Sequence, residues 1–565
     1  CGTYYPRPHF VRLVQAVSEA WRDQREAVLR QGAAVVEAVA GAQLGAGGRT
    51  SPMAAGILDA AAASMAREYD PTHGGFGAAP KFPPHLAMLF LLRHHQRTGD
   101  QRALEMTRHT AEAMARGGIY DQLAGGFARY SVDATWTVPH FEKMLYDNAL
   151  LLRAYVHLWR LTGDRMARRV ADETARFLVR DLSTAEGGFA SALDADTDGV
   201  EGATYAWTPA QLREVLGEAD GGFAADLYGV TETGTFEHGT SVLRLARDVD
   251  AADPAVRQRW QEASGRLFEA RRRRAQPARD DKVVAAWNGL AVTALAEHAA
   301  LAEHAALAEH AALAEHAALA GDGQVASGEA AVAAATLLAE RHLVAGRLRR
   351  VSRDGVAGEP AGVLEDYGCV SEAFCAVHQL TGDGRWLDLA GELLGVALDR
   401  FGNGKGGFFD TADDAERLVA RPADPTDNAT PAGLSSMAAA LTAYAALTGS
   451  TAHREAAERA LATVAPLAAQ HARFAGYACA VGEALLSGPY EVAVVGPDRD
   501  ELVRAAWRLA PPGAVVVSGE PDQPGVPLLR DRPAVGGAAT AYVCRGFACD
   551  RPVTTVEDLA AVLGR

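Results

Sequence analysis

No stretch of the chain approaches the roughly 20 consecutive apolar residues that a bilayer span needs, so no membrane segment is expected. Basic charge is also in short supply. Lys and Arg number 55 against 71 Asp and Glu, a formal net charge of −16. A nucleic-acid backbone needs a basic surface, and no nucleic-acid partner is expected. The six cysteines in 565 residues do not make a disulfide framework. Cys369, Cys375 and Cys479 lie in apolar helical stretches and read as core. Cys544 and Cys549 are spaced more widely than the C-x-x-C of redox and zinc motifs, which points away from redox or metal work. A Gly-rich phosphate fingerprint is missing too, so no nucleotide and no other cofactor is inferred. A cytoplasmic location is the default reading. The opening Cys1, in place of Met, points to a segment upstream.

What is present is a rhythm. The composition, 48% hydrophobic and 22% charged, is that of a globular chain long enough for more than one domain. One helix-ending signature recurs: Thr98-Gly99-Asp100, Thr162-Gly163-Asp164, Ala320-Gly321-Asp322, Thr381-Gly382-Asp383 and Thr448-Gly449-Ser450. Glycine at such a position takes the left-handed conformation that ends a helix, and the following Asp or Ser can cap the next. Each copy therefore predicts an αα-hairpin. The glycines are 64, 158, 61 and 67 residues apart. The long interval is about two and a half units, which predicts one further hairpin hidden within 188–280. Six hairpins closed in a ring give a mainly α fold, an (α/α)6 toroid over 47–487, with an open solenoid as the alternative. After Gly488 the pattern changes to short strands near Glu491–Val495, Ala514–Ser518 and Ala541–Cys544 and helices near 498–509 and 556–563. That predicts a small α/β domain over 488–565.

If every Gly turn lies at one end of the ring, the longer connections lie at the other. Those connections carry Gly-Gly-Phe at 74–76, 125–127, 187–189 and 406–408, read as tight turns before short extended flaps around an open mouth. Four tandem copies of Ala-Glu-His-Ala-Ala-Leu fall between Leu295 and Leu319. Their histidines, 298, 304, 310 and 316, are six apart and turn by about 240° each, so they point three ways and make no metal site. The expansion reads as a helix lengthened away from the mouth.

The richest segment runs from Gly117 to Asn148. Pro139 is read as a helix start, with His140, Lys143 and Asp147 on one face. Asp194, Asp196, Asp198 and Gly199 begin like a calcium loop, but the decisive twelfth position is Tyr205, which excludes an EF-hand. No metal is inferred. Asp281, Lys282, Trp287 and Asn288, then Glu365, Asp366 and Tyr367, then Asp427, Asn428 and Thr430 stand at the starts of presumed inner helices. Such a mixture suits a saccharide or another polyhydroxylated small molecule: aromatic faces pack on sugar C–H groups, while carboxylates and amides bind hydroxyls. Paired carboxylates could supply acid and base. The catalytic candidates are His140, Glu142, Asp147, Asp194, Asp196, Asp281, Glu365 and Asp366. The substrate-binding candidates are Asp121, Tyr130, Trp136, Lys143, Asn148, Tyr205, Trp207, Trp287, Asn288 and Tyr367. The rival reading is a non-catalytic scaffold or binding protein.

The motifs GGFGAAPKFP, GGIYDQLAGGFARYSVDATWTVPHFEKMLYDNALL, GGFASALDADTDGVEGATYAWT, DDKVVAAWNGL and LEDYG, in this order, resemble the spermatogenesis-associated protein 20 family of thioredoxin-domain-containing proteins. The resemblance implies a thioredoxin-like domain followed by a six-hairpin glycosidase-like toroid, similar to those of sugar epimerases and glycoside hydrolases. By the same resemblance residues 1–46 look like a remnant of the thioredoxin-like domain, with Cys1 to Pro6 its last strand and a helix near 9–30 its closing helix. The part expected to hold the redox cysteines is absent, and Cys1 is no substitute. A thiol–disulfide role is not supported for this chain.

Overall fold

The computed structural model describes residues 6–42, 50–303 and 326–564. Helices α1 (Arg7–Asp23) and α2 (Arg25–Ala42) come first and break at Gln24, so the single helix expected near 9–30 is two. α1 buries none of its residues. The ring begins with α3 (Ala55–Glu68), followed by the hairpins α4 (His85–Thr98) with α5 (Gln101–Arg116) and α6 (Leu145–Thr162) with α7 (Arg165–Phe177). Three helices intervene: α8 (Pro209–Leu216), α9 (Glu218–Tyr228) and α10 (Pro254–Arg272). The hairpins resume with α11 (Ala285–His298) and α12 (Ser327–Leu337), α13 (Leu364–Thr381) and α14 (Gly384–Arg400), and α15 (Gly433–Thr448) and α16 (Thr451–Gln470). The last helix of the ring is α17 (Gly476–Ser487).

Packing shows closure. α4, α6, α11, α13, α15 and α17 each touch the next, and α17 touches α4 again, which excludes the open solenoid. Inner and outer helices differ as burial demands. Every residue of α6 from Leu145 to Val156 is buried, whereas outer α7 buries a stripe of Met166, Ala167, Val170, Ala171, Thr174 and Ala175. Glycines bring inner helices close. A Cβ on Gly289 of α11 would stand 2.7 Å from the Cys369 carbonyl carbon of α13, and one on Gly368 would stand 2.7 Å from Met437 N of α15.

The Gly turns form as expected. Gly99, Gly163, Gly382 and Gly449 have φ of +77°, +69°, +69° and +74°. Asp100, Asp164 and Asp383 cap the following helices through their side chains. Each preceding threonine donates its hydroxyl to the carbonyl four residues back and accepts the N–H two residues on. The turn at Gly321, and with it His304, His310 and His316, lies outside the described residues. His298 lies between Ser327 and Asp172 at 2.9 Å from each.

The sixth hairpin is not hidden within 188–280. Inner α17 takes as its outer partner α3, from the other end of the sequence. The interval 188–280 instead carries α8 to α10, which close over a core of their own that includes Trp207, Leu212, Leu227, Tyr228, Trp260 and Leu267. A periodicity count assigns every unit to consecutive residues and so misses a hairpin shared between the two ends.

Beyond α17 a four-stranded sheet holds Tyr490–Val495 parallel to Val515–Gly519 and antiparallel to Thr540–Arg545, which pairs with Ala548–Cys549. Helices α18 (Asp500–Leu509) and α19 (Val556–Val562) complete it. This unit sits on the Gly-turn end of the ring. Val516 N–H donates to Gln379 (3.0 Å), Gln523 donates to the Gly382 carbonyl (2.7 Å), and Gln96 donates to that of Ala510 (3.0 Å).

Candidate functional site

Short ladders stitch the mouth together. Lys143–Met144 pairs with Ala192–Leu193, which pairs with Arg279–Asp280, and Val283–Val284 pairs with Val351–Arg353. Asp366 Oδ1 accepts the Ala286 N–H (3.0 Å). The segments carrying His140, Asp194, Asp281 and Asp366 therefore meet at one end of the ring. The local geometry at Pro139 differs from the expectation. Pro139–His140 is a strand paired with Tyr130–Ser131, and the helix begins at Leu145. His140 and Lys143 thus share no helix face with Asp147, because the ladders claim the backbone that a helix would need.

His140 stands at the centre of a partly exposed cluster. Its Nδ1 lies 2.7 Å from Glu201 Oε1 and its Nε2 lies 3.7 Å from Glu142 Oε2. Its ring stacks on Tyr130 (5.0 Å between centres, 22°), and Tyr130 packs on Phe82 (4.9 Å), which is 52% exposed. Glu201 arrives on a hairpin whose corner is Asp198-Gly199, with φ of +53° and +78°. The calcium-like acidic run thus builds a turn. Glu142 is also held by Arg129 (2.9 Å).

Beneath this cluster Asp147 is buried, with Oδ1 3.2 Å from His85 Nε2. Burial pushes its carboxyl above the ordinary value, against the pull of His85 and Arg129, and the charge of Glu142 adds to the rise. Its Oδ2 has no hydrogen-bond partner among the described residues. His85, Arg129 and Glu201 are the members that the sequence reading missed. Arg129 and Glu201 lie on segments already singled out and His85 lies just beyond one, but nothing in the local spacing pairs any of them with a residue 13 to 62 positions away.

The other candidates are placed differently. Asn148 accepts the Phe127 N–H (2.6 Å) and donates to the Phe127 carbonyl (3.0 Å), and Asn288 does the same for Phe189 (2.8 and 3.0 Å). Both amides hold Gly-Gly-Phe turns and are 0% exposed, so they face no ligand. Asp121 is buried between Lys143 and Arg271, at 2.7 Å from each. Although burial raises its carboxyl, the two cations outweigh that and hold it far below the carboxylate range. Asp366 is 0% exposed and takes Arg350 (3.1 Å) and the N–H groups of Val363 and Ala286. Glu365 also binds Arg350 (2.6 Å), and Asp281 binds Arg279 (2.6 Å). Trp136, Trp207 and Tyr367 are at most 1% exposed. Trp136 donates to the His73 carbonyl, Trp207 lies in the insertion core beneath Arg274, and Tyr367 Oη receives Leu348 N–H. Tyr205 stacks on Phe141, and Trp287 packs edge-on against Tyr146. Asp194 and Asp196 are exposed. Burial takes Asn148, Asn288, Asp121, Lys143, Asp147, Asp366, Trp136, Trp207 and Tyr367 off the exposed surface of the mouth.

A second polar set lies on the ring axis, away from the mouth. Arg153 donates to Glu297 through two nitrogens (2.8 Å each) and to Tyr477 (2.7 Å), lies 2.9 Å from Glu372, and Tyr477 donates to Glu372 (2.7 Å). His157 lies 3.1 Å from Glu297. Arg153, His157, Glu297 and Glu372 line a cavity of about 120 Å³ that Trp507 and residues 510–515 border from the C-terminal unit. The signal was in the sequence: Arg153, Glu297 and Glu372 are charges within apolar stretches of inner helices.

No protein-family profile matches the chain. Among curated proteins, spermatogenesis-associated protein 20 of Homo sapiens is 30% identical over 629 residues, covering 100% of this chain and 77% of the relative. The Rattus norvegicus counterpart is 28% identical over 632 residues, with 100% and 77% coverage. Among solved structures, a D-mannose isomerase aligns with a TM-score of 0.44 at 10% identity, over 73% of this chain and 86% of that one. An unsaturated glucuronyl hydrolase specific for heparin gives 0.41 at 10% identity, over 73% and 82%. By its own packing the protein is a six-hairpin α/α toroid bearing a C-terminal α/β unit. The chain belongs to the spermatogenesis-associated protein 20 family.

Proposed function

We propose that the protein is carbohydrate-active and binds a saccharide at the mouth of the toroid, on the cluster of His140, Glu142 and Glu201. The observation that carries this is the imidazole of His140 held between two carboxylates and stacked on the Tyr130–Phe82 ledge, with Phe82 open to solvent. Aromatic faces suit sugar C–H surfaces, and carboxylates suit hydroxyls. Asp147, a buried carboxyl of raised pKa within the electrostatic reach of Glu142, has the property of a proton donor. Together they fit proton transfer on a sugar, in hydrolysis or in isomerisation.

The test is a thermal-shift screen of the full chain against a saccharide panel, since a ligand that binds only the folded state must raise the melting temperature. A shift is expected for at least one sugar, reduced by His140→Ala and by Glu142→Gln. A panel without a shift, or a shift untouched by both variants, counts against the reading. A non-catalytic binding role is the second reading. It is favoured by the ion pairs that occupy Asp281, Glu365 and Asp366. Proton NMR of the shifting sugar, first brought to its anomeric equilibrium, separates the two, because only an enzyme then produces new sugar signals over time.

A further inference from the structure

Cys544 and Cys549 face each other on the C-terminal hairpin and are joined by a disulfide. The chain-entropy gain from a crosslink grows with the loop it closes, and this loop is short. As a structural staple the bond contributes less than one that closes a long loop. Its surroundings are those of a reactive site. Cys544 is 1% exposed, while Cys549 is open to solvent. Arg532, itself 6% exposed, places Nη2 3.4 Å from Cys544 Sγ and 3.2 Å from Cys549 Sγ. A cation against sulfur favours the thiolate, the form in which a cysteine leaves and attacks.

We propose that Cys544–Cys549 is a reversible dithiol–disulfide site that exchanges with an external dithiol reductant through Cys549. A thiolate of the reductant attacks Cys549 Sγ. The Cys544–Cys549 bond breaks, and Cys544 departs as a thiolate beside Arg532. The second thiol of the reductant then attacks its partner sulfur in the mixed disulfide and releases Cys549. The reductant gives up two electrons and two protons and closes its own disulfide, and the protons end on Cys544 and Cys549. Arg532 is a positioning residue in this scheme. The hairpin keeps its place in both states through contacts that do not involve sulfur. Glu491 accepts the N–H groups of Gly546 (2.9 Å) and Phe547 (2.7 Å), and the Phe547 ring abuts Gly449 of the toroid.

The test equilibrates the full chain, undenatured, in mixtures of reduced and oxidised dithiothreitol, quenches with acid and maps alkylated cysteines by mass spectrometry. Cys544 and Cys549 should gain label together as the reduced fraction rises and lose it when the mixture is reversed, while Cys369, Cys375 and Cys479 stay unlabelled. Cys544→Ser should form a mixed disulfide with an aromatic disulfide probe at least about 10-fold faster than Cys549→Ser, whose remaining sulfur is buried. Arg532→Met should move the pH midpoint of probe reaction up by about one unit, and Arg532→Lys should restore part of it. If Arg532→Met does not fold, the unmodified chain serves, with reduced Cys549 expected to react with a midpoint below about 8.5, the value of a free cysteine. A pair that opens only in denaturant, a pair that stays reduced in oxidised dithiothreitol, or a pH profile that Arg532→Met leaves unmoved overturns the proposal.

Discussion

His94 on the first inner helix lies 2.7 Å from Glu483 on the last, and Glu483 is 0% exposed. Glu483 also takes Arg97 of the same first helix, and Arg97 reaches Asp59 on α3 (3.0 Å). One buried carboxylate thus joins the three helices at which the ring closes on itself.

Removing that carboxylate leaves His94 and Arg97 without their shared partner. Glu483→Ala is expected to cost about 3–5 kcal/mol, the usual loss when a buried ion pair is broken from one side. Asp59→Ala, on an exposed residue, should cost under about 1 kcal/mol. Urea unfolding followed by circular dichroism measures both. Equal effects would mean that apolar contacts alone close the ring.

Although burial would raise the Asp121 carboxyl, Arg271 and Lys143 outweigh it and hold the group far below its ordinary value of 3.8. In the unfolded chain it takes a proton near that ordinary value, so its contribution is complete above about pH 5 and is lost as pH falls further. Asp121→Asn strands two buried cations and should lose about 3–5 kcal/mol at pH 7. The difference from the unmodified chain should narrow between pH 4 and pH 3 in denaturant titrations. Parallel curves across that range would show that another pair controls the acid limb.

Gly368→Ala puts a methyl group against the α15 backbone, 2.7 Å from Met437 N. Two packed helices cannot both yield, and a loss of about 1–3 kcal/mol is expected from overpacking. A Cβ on Gly395 of outer α14 would meet nothing within 4 Å among the described residues, so Gly395→Ala should hold or raise the melting temperature. Differential scanning calorimetry separates the two variants. Similar melting temperatures would mean that the inner helices are looser than drawn.

Asn148→Ala should act on stability and not on ligand recognition. It leaves the Phe127 N–H and carbonyl unpaired inside the protein, at about 1–3 kcal/mol for each buried group. The affinity for any saccharide that binds the unmodified chain, measured well below the lowered melting point by calorimetric titration, should be unchanged. Lost affinity in a folded Asn148→Ala protein would return this residue to the ligand site.

Legibility followed the range of the interactions. The Thr-Gly-Asp corners were readable because the left-handed glycine, the Asp cap and the threonine bonds all act within four residues. The strands after Gly488 were readable from their apolar runs. His140 and Glu142 stood out by local density of polar residues, but that same density selected Asn148, Asp121 and Trp136, which brace loops. Density cannot tell a side chain facing solvent from one facing a backbone carbonyl. The disulfide was missed because spacing describes the chain, whereas the hairpin register set Cys544 opposite Cys549.

By itself the sequence determined the helical repeat, the polarity of each hairpin and the end of the ring on which the acidic and aromatic segments gather, all through contacts between near neighbours. Tertiary structure alone decided that α3 and α17 make the sixth hairpin, that 188–280 form an insertion, and that Glu201 meets His140. Those outcomes depend on contacts between residues tens to hundreds of positions apart, and their geometry exists only once the ring has closed.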